Sequence, residues 1–191
     1  MWAATIVLVA TVVVGGARAD GYSHVAHFIS ELGARGASDG AAVSAAFGAV
    51  GVLVALAGVA VVRTDRSRGA VALAAAALAI AIGYGTAGVA RCEPGCPESG
   101  GDVAQLVHNT AGGIEYVGAA AAILVACGAA RRESAPRFAA RSAGAVAVVA
   151  AAVVLGAAIP DQRGLWQRVA EVALFAWLLV AIRRRAASAT R

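Results

Sequence analysis

The chain has 191 residues, 60% of them hydrophobic, and a mean hydropathy of +0.77, whereas a soluble domain is roughly 45–50% apolar. Its net charge of +5 comes from sixteen basic residues, all Arg. They gather between and after apolar runs and form no basic stripe interleaved with aromatics, which excludes nucleic acid as the partner.

The apolar residues form six runs, roughly 2–19, 41–62, 70–90, 104–130, 140–159 and 165–182. Most have the length that crosses a hydrocarbon core about 30 Å thick. In lipid every backbone polar group must be paired within its own segment, so these runs are expected to be helices despite their Val and Ile content. The predicted fold is all-α: a single polytopic membrane bundle of about six transmembrane helices, plus a short amphipathic outer helix.

The first run, within residues 1–20, carries Ala17-Arg18-Ala19, the small-x-small form of a signal-peptide cleavage site. It lacks a positively charged start, and a retained helix is the expectation. The segment after it reads Gly21-Tyr22-Ser23-His24-Val25-Ala26-His27-Phe28-Ile29-Ser30-Glu31-Leu32-Gly33. At helical spacing His24, His27 and Glu31 fall within about 60° of one another. Tyr22, Val25, Phe28, Ile29 and Leu32 take the opposite arc, which predicts an amphipathic helix at the interface.

Gly48, Gly51, Ala55 and Gly58 on the second run let helix backbones approach closely and point to a compact bundle. After the third run comes Cys92-Glu93-Pro94-Gly95-Cys96-Pro97. Pro94-Gly95 suits the centre of a turn, which would bring Cys92 and Cys96 together as a disulfide on an oxidising face. Zinc ligation is the rival, although the spacing is looser than in the usual zinc knuckles. Cys127 reads as a core thiol.

Asp102 is a candidate N-cap for the fourth helix. On that helix His108 and Glu115, seven residues apart, share a face, and Tyr116 adjoins them. On the last run Arg168 and Glu171 stand i, i+3 and can pair. Ionisable groups at this depth are expected to face the bundle interior with a partner.

The distribution of Arg predicts orientation. Segments 63–68, 131–141 and 183–191 hold eleven Arg against two acids, net +9; the alternate segments hold five Arg against nine acids, net −4. By the positive-inside rule the first set is cytoplasmic, with both termini, and the His-bearing loops lie outside a plasma membrane.

Tyr22-Ser23-His24 with Phe28-Ile29-Ser30-Glu31-Leu32-Gly33 resembles the first outer loop of the prokaryotic membrane proteins catalogued as domain of unknown function 998. The Cys/Pro/Gly loop followed by His108 is similar to theirs too, as is Gly164-Leu165-Trp166-Gln167-Arg168 opening the last helix. The resemblance covers nearly the whole chain and implies a six-helix membrane protein in which the first outer loop, His108 and Arg168 belong to one site. It implies no established activity.

Three functions compete. An enzyme acting on a lipid or lipid-linked substrate would use His24, His27, Glu31 and His108 catalytically. Either His24, His27 and His108 would hold a divalent metal such as zinc, or a His would act as general base. Glu115, Tyr116, Arg168 and Glu171 would bind substrate, the planar Arg fork suiting a phosphate or carboxylate. A transporter or binding protein for a small solute would use Glu115, Arg168 and Glu171 as an intramembrane charge network. A non-catalytic accessory protein would use the same groups for packing. Oligomeric state is left open.

Overall fold

The structure, a computed structural model, describes residues 1–189. These contain six helices and no strand: α1 (Trp2–Arg18), α2 (Gly40–Thr64), α3 (Arg68–Val89), α4 (Val103–Arg132), α5 (Pro136–Ala158) and α6 (Arg163–Ala189). Arg191, at the end of the C-terminal basic segment, lies outside the described residues.

Helices α2 to α6 are long and apolar enough to cross a membrane, while α1, with 17 residues, is shorter. Their outward faces carry Val52 and Leu56 on α2, Leu124 and Val125 on α4, and Val153 and Val154 on α5, all exposed. Water would not tolerate so much contiguous apolar surface on a monomer; a lipid bilayer accepts it.

Sequential neighbours pack against one another around the bundle, and α6 returns to touch α3. α3 is the central helix: 56% of its span is buried, against at most 39% for the others. Its Ala-rich face allows this. Gly51 on α2 sits against the backbone of Gly85 and Ala81, and Gly88 sits against Gly48, leaving no room for a Cβ on Gly51 or Gly88. The small residues of the second run therefore serve packing of α2 on α3 inside one chain.

Local signals place the helix ends. Ser67 caps α3 by accepting from Ala70 N, Asp102 caps α4 by accepting from Gln105 N, and Pro136 opens α5. The α-helical winding of α4 is interrupted once, where residues Ile114–Gly118 form a π-helical turn.

Segment 21–33 is not the continuous amphipathic helix that its periodicity suggests. A turn closes from His27 N to Ser23 O, and a 3-10 helix then spans Ile29–Gly33. Ser23 Oγ accepts from Val25 N and Ala26 N, and Ile29 N is drawn to the Gln167 side chain. Side chains thus take backbone donors that a helix would have used internally.

The bundle has two unlike ends. At one, Arg184 and Arg185 of α6 pair with Glu133, and Arg185 pairs also with Asp65, which ties the α2–α3 and α4–α5 connections to α6. At the other, the α1–α2 and α3–α4 connections meet the start of α6.

Candidate functional site

At that second end the loop after α1 is fastened onto the first turns of α6. Leu165 N donates to Val25 O, Gln167 Oε1 accepts from Ile29 N at 2.6 Å, and Arg168 Nη1 donates to His27 O and Gly164 O. Gly164 is the contact that permits this, because a Cβ there would run into the backbone of His27. Arg168 Nη2 donates to Tyr22 Oη at 2.5 Å and to His24 Nδ1 at 3.1 Å. Arg163 holds Glu31 at 3.0 Å, reaches Ala26 O and Gly95 O, and stacks its cation over the Phe28 ring. Glu31 also accepts from Phe28 N, which pins the start of the 3-10 helix.

Beneath this loop lies a chamber of about 60 Å³, roofed by Ile29 and Ser30 and lined by Tyr84, Glu115, Tyr116 and Glu171. That volume holds a small number of waters. Glu171 is buried and accepts from two phenols, Tyr84 Oη at 2.9 Å and Tyr116 Oη at 2.7 Å. Glu115 is also buried, 6% exposed, and its Oε1 has no hydrogen-bond partner. Its carboxylate presses on Gly83, where a Cβ would overlap it. The π turn lies at this point of α4. A widened turn changes the angular step, so the adjacent residues Glu115 and Tyr116 both reach the chamber.

His108 lines the chamber as well, and its Nδ1 lies 2.9 Å from Ala90 O. A carbonyl only accepts, so Nδ1 carries the proton and Nε2 keeps its lone pair. The rings of His24 and His27 are occupied elsewhere. The guanidinium of Arg168 only donates, so His24 Nδ1 accepts, while His27 Nδ1 accepts from Ser23 N. Partial loss of solvent around the exposed ring first, and then the Arg168 charge, hold the His24 pKa below its ordinary value. Burial pushes the Tyr22 hydroxyl up, against the pull of Arg168.

The candidate residues therefore fall into two adjoining groups. Tyr22, His24, His27, Glu31 and Arg168 belong to the docked loop. His108, Glu115, Tyr116 and Glu171 belong to the chamber under it. His24 and His27 do not join His108 in a common ligand cluster; among the described residues the one set of three potential ligand atoms within 4.8 Å is Cys92, Cys96 and His108. Arg168 and Glu171, one turn apart, turn to different partners and make no pair with each other. Cys92 and Cys96 are joined as a disulfide, and Cys127 is buried with its thiol donating to Ala139 O.

Sequence reasoning missed Tyr84, Arg163 and Gln167. Tyr84 stands between Gly83 and Gly85 in an Ala/Leu/Ile run, and that interruption was its only signal. Arg163 entered only the charge count, and Gln167 only as part of the Gly164–Arg168 segment that resembles the family.

A second, larger cavity of about 500 Å³ opens beside the loop between α1 and α2, with Tyr22, His27, Glu31, Arg35 and Asp39 on its wall. A third, of about 210 Å³, lies between α5 and α6; it shares Tyr116 and Gln167 with the chamber and has Val153, Gly156 and Trp166 on its sides.

No curated protein and no solved structure matches the chain. Residues 2–184, nearly the whole sequence, match the family described as protein of unknown function DUF998, so a bundle with a docked loop over buried carboxylates is the form this chain gives to a family it plainly belongs to, DUF998.

Proposed function

We propose that this chain is a plasma-membrane enzyme that works on the polar head of a lipid or lipid-linked substrate by acid–base chemistry at Glu115 and Glu171. On this reading the arginine-rich end faces the cytoplasm and the docked loop faces outside, following the +9 against −4 division of charge.

The observation that carries it is the Glu115 oxygen, buried and without a partner in a chamber that admits water. Leaving such a group unsatisfied costs about 1–3 kcal/mol or more, a cost a fold bears where the group has work to do. Glu171, oriented by two phenols, is the fixed member of the pair; Glu115 is the one free to exchange a proton with water or substrate. The neighbouring groove suits an amphiphile. Its apolar walls fit hydrocarbon, and it meets the chamber at Tyr116 and Gln167. The chamber is too small for a headgroup as it stands, so Ile29 and Ser30 would lift with the loop, with His24, His27 and Arg168 as its fastenings. This version is favoured over one using a metal on His24, His27 and His108, because His24 and His27 accept at Nδ1 from Arg168 and Ser23 and do not converge with His108 on one point.

Transport of a small solute is the second reading, and the course of α6 beyond the chamber argues against it. From Glu171 toward Arg185 the buried face of α6 carries Leu174, Phe175, Trp177, Leu178 and Ala181. The Trp177 Nε1–Ser142 Oγ hydrogen bond is an isolated polar contact among these apolar residues and makes no continuous track.

The test is lipid turnover in vesicles of native lipid holding the purified protein, followed by mass spectrometry. The wild type should change the abundance of one lipid class, and Glu115→Gln should slow that change by about a hundredfold or more. Equal turnover by a Glu115→Gln protein with unaltered melting would sink the reading.

A further inference from the structure

The α3–α4 connection and the first turns of α4 hold a second group of chemically able residues that the acid–base reading does not use. We propose that Cys92, Cys96 and His108 form a metal site in the reduced protein, taking a single thiophilic divalent ion such as zinc through two thiolates and one imidazole. In the oxidised protein the disulfide masks this site.

Three observations support it. First, both sulfurs and an imidazole nitrogen already lie within 4.8 Å of one another. Thiolates on a tetrahedral zinc, at about 2.3 Å from the metal, stand roughly 3.8 Å apart, so the ligands need move only by ångströms. Second, His108 has the support a metal-binding histidine requires. Its Nδ1–H donates to Ala90 O at 2.9 Å, which fixes the ring and leaves Nε2 as the donor atom. Third, the loop does not depend on the S–S bond for its shape. Arg35 N donates to Cys92 O, Arg91 donates to Gly33 O and Ala34 O, Glu93 N donates to Gln105 Oε1, and Gln105 and Asn109 both donate to Pro97 O. Opening the disulfide leaves these in place, so the two sulfurs stay side by side. Cys92 and Cys96 are 1% and 4% exposed, and a buried thiolate pair is tolerable only with a cation between.

The chemistry balances with a dithiol as reductant. It gives two electrons and two protons, the S–S bond becomes two thiols, and the dithiol leaves as its own disulfide. The incoming divalent ion displaces both thiol protons to solvent.

Cobalt(II) reports the ligand set directly. The full chain in detergent is reduced with dithiothreitol, freed of reductant without air, and titrated with cobalt. The reduced protein should take a single ion per chain with a sulfur-to-cobalt charge-transfer band, and the oxidised protein none. His108→Ala should weaken binding at least about tenfold, and Cys96→Ser should remove the band. Should either variant fail to fold, the wild type still decides, because zinc should protect both thiols of the reduced protein from alkylation. A disulfide that resists reduction, cobalt bound without the sulfur band, or equal binding by the oxidised form would each overturn the site.

Discussion

Gly83 and Glu115 show how a single hydrogen atom's worth of space sets the chamber. Gly in a helix ordinarily costs about 0.5–1 kcal/mol relative to Ala, so Gly83→Ala in α3 would be stabilising if packing allowed it. It does not, because the added carbon meets the Glu115 carboxylate. Gly83→Ala should therefore lower stability by about 1–3 kcal/mol, seen as a lower melting temperature in detergent. Adding Glu115→Ala removes the carboxylate but keeps the Glu115 Cβ, 2.8 Å from the added carbon, and should return part of the loss; a double variant no better than the single would show that the carboxylate is not what clashes. His24 gives a prediction in pH. Its ordinary pKa of 6.5 is lowered by partial loss of solvent and by Arg168, so the unfolded chain takes up the proton more readily than the folded one. The stability this supplies is complete above pH 6.5 and is lost as pH falls through the lowered folded value. Melting temperature should drop over that range in the wild type and less in His24→Ala, the difference being small because His24 is exposed. At this scale the sequence was informative wherever a charge interrupted an apolar run. Glu115 and Glu171 stood out for that reason, and Tyr84 did not, because a tyrosine in a membrane run carries no charge to notice.

Two elements, the docked loop and the π turn, turn those residues into a site. Segment 21–33 carries helical periodicity and yet forms a turn and a 3-10 helix. Its apolar residues do not line one stripe of a helix: Ile29 and Leu32 are buried while Val25 is exposed, and the backbone spends donors and acceptors on α6. Periodicity reports which residues can share a face, and it is silent on partners more than a hundred residues away in the chain. The π turn was equally hidden: Gly112 and Gly113 before it and Gly118 at its end are breakers, but glycine is common in membrane helices and does not by itself mark a π turn. The i, i+3 spacing of Arg168 and Glu171 suggested a pair for a similar reason; the loop above and the phenols below outcompete it. The docking predicts a local effect of one substitution. Gly164→Ala forces the His27 backbone away from α6, so the amides of Phe28 to Leu32 should exchange with solvent about tenfold faster, while those of α3 keep their rates. Unchanged exchange in the loop would mean that Gly164 does not hold it down.

Over the whole molecule, six apolar runs separated by short polar segments left few alternatives to a helix bundle, and the six helices match those runs closely. The Arg distribution also foretold which connections share an end: the α2–α3 and α4–α5 connections and the close of α6 meet there through Arg184 and Arg185. What charge counting could not reveal is that Arg185 is a clasp. It lies over Gly69, where a side chain would collide with its guanidinium, and bonds Asp65 and Glu133 from two different connections. Asp65 is held below its ordinary 3.8 by the Ser67 backbone N–H first, then the Ser67 hydroxyl and Arg185, against the opposing effect of burial. For Glu133 burial is the largest influence and acts upward, but Arg184 and Arg185 together outweigh it and lower the pKa from 4.5. A carboxylate whose folded pKa is depressed supplies stability that is complete above its unfolded value and is lost as pH falls through the folded one. The clasp should thus be intact above about pH 4.5 and open progressively below it. In the wild type the melting temperature should fall as pH is taken from 6 to 3. Arg185→Ala should melt lower at pH 6 and show a shallower fall, the two curves drawing together in acid. Parallel curves across that range would mean that Arg185 acts through its packing over Gly69 alone, and that the two connections are held to α6 by something other than charge.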